Sequence, residues 1–127
     1  MLFPVLETNR LRLDKLTTED SKSLFDLFSD NSVVKYYDLD AFTERSQASN
    51  LIEFFNARFT ENSGIRWAIR LKETHQFIGI CGFNTWSPKM KNAVIGYDLL
   101  PKFWGSGYTT GAVHRIVKSA FCGELPC

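Results

Sequence analysis

The sequence predicts an α/β fold of the α+β type, in the order β-α-α-β-β-β-α, and three observations carry that prediction. A period of two runs through RLRLDKL (residues 10–16), IRWAIRL (65–71) and AVIGYDLL (93–100). A helical period follows Thr17, Thr43 and the glycine-rich stretch that ends the chain's last strand. At 127 residues, 44% of them hydrophobic, the chain is long enough for one domain with a core and too short for two ordinary ones. A single domain over 1–127 is expected.

Each element has its own warrant. In RLRLDKL, Leu11 and Leu13 alternate with Arg10, Arg12 and Asp14, as a half-buried strand requires. Thr17 with Asp20 three residues on reads as a helix start, and Leu24, Leu27 and Phe28 share one stripe behind it. The segment NSVVKYYDLDAF has no clean period. Thr43 is expected to cap a second helix carrying Ala48, Leu51, Ile52, Phe55 and Phe59, and Asn62, Ser63 and Gly64 to stop it. Trp67, Ile69 and Leu71 then alternate, and the polar KETHQ joins them to FIGICGFNTW as a β-hairpin. A turn at SPKMKN leads to AVIGYDLL, which Pro101 ends. In the last helix Val113, Ile116, Val117, Ala120 and Phe121 are the expected buried stripe, with His114, Arg115 and Lys118 outside.

Composition excludes several classes. Fifteen Lys and Arg against fourteen Asp and Glu give a net charge of +1, so no basic surface for nucleic acid is expected. No apolar run reaches the ~18 residues of a membrane span, and the opening MLFPVLETNR lacks the basic start and apolar stretch of a signal peptide. The expected location is cytoplasmic, with no membrane partner. Cys81, Cys122 and Cys127 form no CxxC pair and leave one over, which predicts reduced thiols rather than disulfides or a zinc site. His75 and His114 have no neighbours suited to a metal or a nucleophilic triad, so no metal is expected.

The stretch FWGSGYTTGAV (103–113) carries the chemistry. Its three glycines precede a helix, and from Leu99 to Gly123 there is no Asp or Glu. The two earlier helices place Glu19, Asp20 and Glu44 at their starts, the usual complement to the positive dipole end. A glycine-rich turn serves either a tight strand-to-helix connection or a phosphate brought close to backbone N–H groups. Two familiar phosphate motifs fail. No lysine follows GSG, as a P-loop requires, and Thr110 stands where the dinucleotide fingerprint needs its third glycine.

The string IGYDLLPKFWGSGYTTGAV (95–113) resembles the acetyl-CoA-binding segment of the GNAT superfamily of N-acetyltransferases, in the branch of the ribosomal-protein N-terminal acetyltransferases. The segment ETNRLRLDKLTTED (7–20) is similar to the opening of that branch. The resemblance implies a mixed, mainly antiparallel sheet flanked by helices, here lacking the C-terminal strands and helix of the full fold. It implies acetyl-CoA as acyl donor and a primary amine as acceptor, a small molecule or a protein N-terminus. The pyrophosphate of CoA maps to Lys102, Phe103, Trp104, Gly105, Ser106 and Gly107, with Tyr108 and Thr109 opening the helix. The pantetheine arm maps to backbone groups of Leu99 and Leu100, in the manner of an added strand.

Relatives often carry a Glu where Val94 stands. Asp98, on the same strand face, is then the candidate base, with water as the alternative for an amine of pKa near ~8. A backbone N–H near Leu99 is the expected oxyanion donor. Tyr36, Tyr37 and Trp86 are candidates for an acceptor pocket, and Asn84 for orienting the acceptor. A catalytically silent CoA-binding or protein-interaction module is the competing reading. An exposed edge on AVIGYDLL predicts homo-oligomerisation.

Overall fold

A computed structural model of the chain describes residues 3–34, 41–61, 63–85 and 94–121. Two short antiparallel strands open it, β1 (Leu6–Glu7) and β2 (Leu11–Lys15). A 3-10 turn (Thr18–Asp20) leads into α1 (Ser21–Phe28), and one helical turn, α2 (Asn31–Val34), follows. Then come α3 (Arg45–Thr60), β3 (Ile65–Leu71), β4 (Phe77–Thr85), β5 (Val94–Leu99), a second 3-10 turn (Pro101–Phe103) and α4 (Tyr108–Phe121). The five strands form one sheet in the order β1-β2-β3-β4-β5, antiparallel at every step.

The alternation in the strands sorts the core into two layers. Leu11, Leu13, Trp67, Ile69, Cys81, Phe83 and Leu99 join Ala112 and Ile116 of α4 on one face. Ala68, Phe77 and Ile80 join Leu24, Leu27, Ala48 and Ile52 of α1 and α3 on the other. Phe77 and Ile80, three apart, share a face because Ile69 faces Gly79 while Arg70 faces Phe77, so Ile78 is the extra residue of a bulge. The indole N–H of buried Trp67 donates to the Pro4 carbonyl at 2.8 Å.

Polar groups fix the helical layer to the sheet. Arg70 forks onto Asp20, Nη1 to Oδ1 at 2.8 Å and Nη2 to Oδ2 at 2.9 Å, while its Nε meets Asp14 Oδ1 at 2.7 Å. The bond to Asp20 raises the guanidinium pKa further above its usual value, so the charge is permanent. Asp20 Oδ2 also accepts from the Thr17 N–H at 2.9 Å, which secures the start of the first helical region as the sequence predicts.

Several expectations need correction. The N-cap of α3 is Glu44, not Thr43: the Gln47 side-chain oxygen accepts from both N–H groups, at 2.9 and 2.7 Å, and the helix starts one residue later. β1 and α2 were not expected; neither is long enough to show a period. The buried stripe of α4 is Ala112, Ile116 and Ser119, whereas Ala120 is exposed, Val113 and Val117 are half-buried, and Arg115 is half-buried rather than outside. The helix is rolled so that Arg115 Nε reaches the Glu7 carbonyl at 3.0 Å. The SPKMKN turn lies outside the described residues, as do Cys122, Cys127 and the side chain of Phe121.

Candidate functional site

β5 stands at the end of the sheet order, paired with β4 alone among the described residues. The Leu100 N–H, just past its end, donates to the Ile78 carbonyl at 2.8 Å. Backbone groups of successive strand residues point to opposite edges, so those of Leu99 point outward. The Leu99 carbonyl accepts from the Trp104 indole at 2.7 Å. Along this edge runs a cleft of about 620 Å³, lined on one side by Ser32 and Val33 and on the other by Trp104, Gly105 and Thr109, with Asp98 and Leu99 in its wall. Asp98 is 9% exposed.

Past Leu99 the chain makes the turn the glycines foretell. Pro101 opens the 3-10 turn, whose Phe103 and Trp104 N–H groups return to the carbonyls of Leu100 and Pro101 at 2.9 and 3.0 Å. Gly105 and Gly107 then both take φ of 79°, a left-handed conformation that side chains oppose. A Cβ at Gly105 would meet nothing within 4 Å, and one at Gly107 only Arg10 Nη2 at 3.4 Å. The glycines are required by the backbone, and they leave open space before the fourteen-residue helix α4, whose first turn holds no acid. A smaller cavity of about 190 Å³, lined by Phe103, Gly105, Gly107, Tyr108, Thr109 and Thr110, adjoins Leu99. Open space, unpaired helix N–H groups and a positive dipole end suit a phosphate-bearing ligand.

One residue of this loop's support was not foreseen. Arg10 donates from Nη1 to the Ser106 carbonyl at 3.0 Å, and its guanidinium lies 4.3 Å from the centre of the Tyr108 ring. It holds the loop's carbonyl on the side of β2 and adds a cation beside it. No local signal marks Arg10, because its partner lies 96 positions along the chain.

The structure gathers most of the predicted site. Asn84, Asp98, Leu99, Trp104, Gly105 and Thr109 line the main cleft, and Phe103, Gly107 and Tyr108 line the smaller cavity. Trp104 is 49% exposed. Leu100 is a correction: its N–H is taken by Ile78 and its carbonyl by Phe103, and since Trp104 holds the Leu99 carbonyl, an added strand has the Leu99 N–H to pair with there. Lys102 and Ser106 line neither cavity; Lys102 Nζ sits 5.1 Å from the Phe103 ring and Ser106 faces Arg10. Tyr36, Tyr37 and Trp86 lie outside the described residues. The Cys81 thiol is fully buried, and desolvation pushes its pKa up to about 12, which makes it inert. Among the described residues no cluster suits a metal ion, and no helix is long and apolar enough to cross a membrane.

Comparison with known proteins bears on this geometry. Residues 10–125 match the acetyltransferase (GNAT) domain. The chain is 36% identical over 120 residues to the uncharacterized N-acetyltransferase YoaA of Bacillus subtilis (strain 168), covering 94% of this chain and 68% of that protein. It is 39% identical over 116 residues to the uncharacterized N-acetyltransferase p20 of Bacillus licheniformis, covering 91% and 65%. In structure it is similar to a GNAT-family acetyltransferase from Bacillus anthracis, with a TM-score of 0.80, 20% identity and coverage of 94% and 67%. It is similar too to RimL, the ribosomal L7/L12 alpha-N-protein acetyltransferase, in complex with coenzyme A, with a TM-score of 0.80, 19% identity and coverage of 95% and 70%. The chain spans about two thirds of the length of these relatives.

Proposed function

Because the chain belongs to the acetyltransferase (GNAT) domain family, we propose that it takes part in moving an acetyl group from acetyl-CoA to a primary amine, with a protein N-terminus among the candidate acceptors. The observation that carries this reading is the continuity of one edge. The outward backbone of Leu99 runs directly into the left-handed glycines 105 and 107 and the acid-free start of α4.

Each part of that edge has a task. Backbone N–H groups from Gly105 to Thr109 would hold the diphosphate, and Arg10 steadies the loop by holding its Ser106 carbonyl. The Leu99 N–H would pair with the pantetheine arm or with the oxygen on which charge develops. Acetyl-CoA, when bound, supplies an acetyl group activated as a thioester. Asp98, in the cleft wall, accepts the proton that the attacking amine loses, and its burial keeps bulk water from competing for that place.

Two further expectations go with the reading. A cytoplasmic location is supported by Cys81, a buried free thiol. Self-association through β5 is supported by its place at the end of the sheet, and light scattering that gives a monomer mass at all concentrations would exclude it.

The test is Asp98→Asn. Calorimetric titration is expected to show unchanged acetyl-CoA affinity, while acetyl transfer to a panel of primary amines falls by about a hundredfold. An unmodified protein that fails to bind acetyl-CoA defeats the reading; a variant with full transfer rate removes Asp98 from the proton's path.

A further inference from the structure

At the far end of β4 the pairing with β5 slips. Phe83 faces Ile95 and Thr85 faces Val94, so Asn84 is the extra residue of a second bulge. Its carbonyl accepts from Arg58 Nη2 at 2.6 Å, and its side-chain oxygen accepts from Arg66 Nη2. Two guanidiniums, one from α3 and one from β3, therefore converge on a single residue.

Both are held in place. Arg58 Nη2 also reaches the Ser63 carbonyl at 2.8 Å, and its guanidinium lies 5.7 Å from the ring of Phe54, which is 53% exposed. Arg66 stacks 4.8 Å from Phe55. Gly96 on β5 makes room for the arrangement, since a Cβ there would stand 2.7 Å from Asn84 Oδ1 and 2.9 Å from Arg66 Nη2. Beside them opens a cavity of about 360 Å³ lined by Phe54, Phe55, Arg58, Arg66, Phe83 and Asn84, with Ile65 at its floor. Among the described residues lining it, two are arginines and none is acidic.

Asn84 lines this cavity and the transfer cleft alike, so the two adjoin. Gly96 and Asp98 lie two residues apart on one strand face, a separation of about 6.5 Å. An acceptor amine at Asp98 would then place atoms about 5–7 Å from its nitrogen against the guanidinium over Gly96. An oriented guanidinium matches the two oxygens of a carboxylate.

We infer that this cavity receives the carboxylate of the acceptor, and that the substrate class is an amine carrying an acid group about that distance from its nitrogen. The inference rests on the acetyl-transfer reading above. An acidic residue at the start of a peptide and a free acidic amino compound both meet the description.

The experiment measures binding, independently of turnover. The probes are the tetrapeptide amides Ser-Asp-Ala-Ala, Ser-Asn-Ala-Ala and Ser-Lys-Ala-Ala, in which the second residue alone varies, together with free glutamate, whose extended side chain sets its carboxylate about 5–6 Å from the amine. The Asp peptide is expected to bind about tenfold more tightly than the Asn peptide at low salt, with the gap narrowing as salt rises. Arg58→Gln and Arg66→Gln should each reduce that gap while acetyl-CoA affinity stays unchanged, and Arg58→Lys should retain part of it. Free glutamate binding as tightly as the peptide supports the class with a small acceptor, and much weaker binding supports it with a peptide. Equal binding of the three peptides, or binding of none, overturns the inference even if the variants misfold. Since acetyl-CoA is titrated separately, failure of the peptides leaves the transferase reading standing, and failure to bind acetyl-CoA is recognised as failure of that reading.

Discussion

Replacing Gly107 separates the cost of bending the backbone from the cost of blocking a ligand. At φ of 79° any residue with a Cβ loses about 1–2 kcal/mol relative to glycine. Crowding adds little, because the nearest atom to that Cβ would be Arg10 Nη2 at 3.4 Å. Gly107→Ala should therefore lower the melting temperature by roughly 3–10 °C and no more. Gly107→Glu pays the same strain and adds a carboxylate at the loop. About 6 Å from each of two diphosphate charges, at an effective dielectric of about 20, the repulsion is about 3 kcal/mol per pair. Screening at physiological salt removes roughly half. The remainder, about 3 kcal/mol, corresponds to more than a hundredfold loss of acetyl-CoA affinity. Gly111→Ala is the control: it lies inside α4, its Cβ would meet nothing within 4 Å, and it should raise stability by about 0.5–1 kcal/mol without altering affinity. Calorimetric titration beside thermal unfolding reads all three. A Gly107→Glu protein that keeps its fold and binds acetyl-CoA within a few-fold of the unmodified protein would refute the assignment of this loop to phosphate.

Two further outcomes follow from the interior. Arg70→Met leaves the Asp20 carboxylate without its guanidinium and Asp14 with Arg12 Nε alone, at 3.3 Å, in a site where the Arg70 and Asp20 side chains are 15% and 8% exposed. Urea unfolding should register a loss of about 3–5 kcal/mol, and a loss under about 1 kcal/mol would mean that solvent already screens the cluster. Cys81 gives a pH signature. Its thiol titrates near 9.0 when unfolded and is pushed up to about 12 when folded, so between those values the folded state keeps a proton the unfolded state has lost. Stability should then fall by about 1.4 kcal/mol per pH unit above 9 relative to Cys81→Ala, and parallel curves for the two proteins between pH 8 and 10.5 would contradict it.

What the sequence discloses depends on how far apart the interacting residues lie. The glycines at 105 and 107 are legible because the conformation they allow is local, and the structure finds both left-handed. The two-residue period gives β2, β3 and β5, the polar KETHQ turn gives β4 as a hairpin partner, and the 3-10 turn at Pro101 falls where proline ends the last strand. The shift of the α3 cap from Thr43 to Glu44 is a choice between neighbours that a pattern cannot make, since the Gln47 side chain serves both. The roll of α4 that buries Ser119 and exposes Ala120 is set by packing across the sheet and by the Arg115 bond to Glu7 of β1, which its own period does not contain. The resemblance assigns Leu100 to the ligand, yet whether its N–H points inward depends on the register with β4. Arg10, Arg58 and Arg66 read as ordinary surface charges until the fold brings their partners to them.

Two arginines cross-brace the glycine loop and α4 to the amino-terminal ribbon. Arg10, at the turn between β1 and β2, holds the Ser106 carbonyl, and Arg115, about two turns into α4, holds the Glu7 carbonyl. The ribbon from Glu7 to Arg10 thus braces the loop proposed for phosphate, although it stands nearly a hundred positions from the glycines. Linkage makes the bracing reciprocal: whatever free energy a ligand gains from an ordered loop also holds the amino-terminal ribbon against the sheet. Fraying of that ribbon, the cheapest local opening available to an end of a chain, is then an event at the cofactor site, and ligand occupancy becomes something that amide exchange at Thr8 to Leu11 can report.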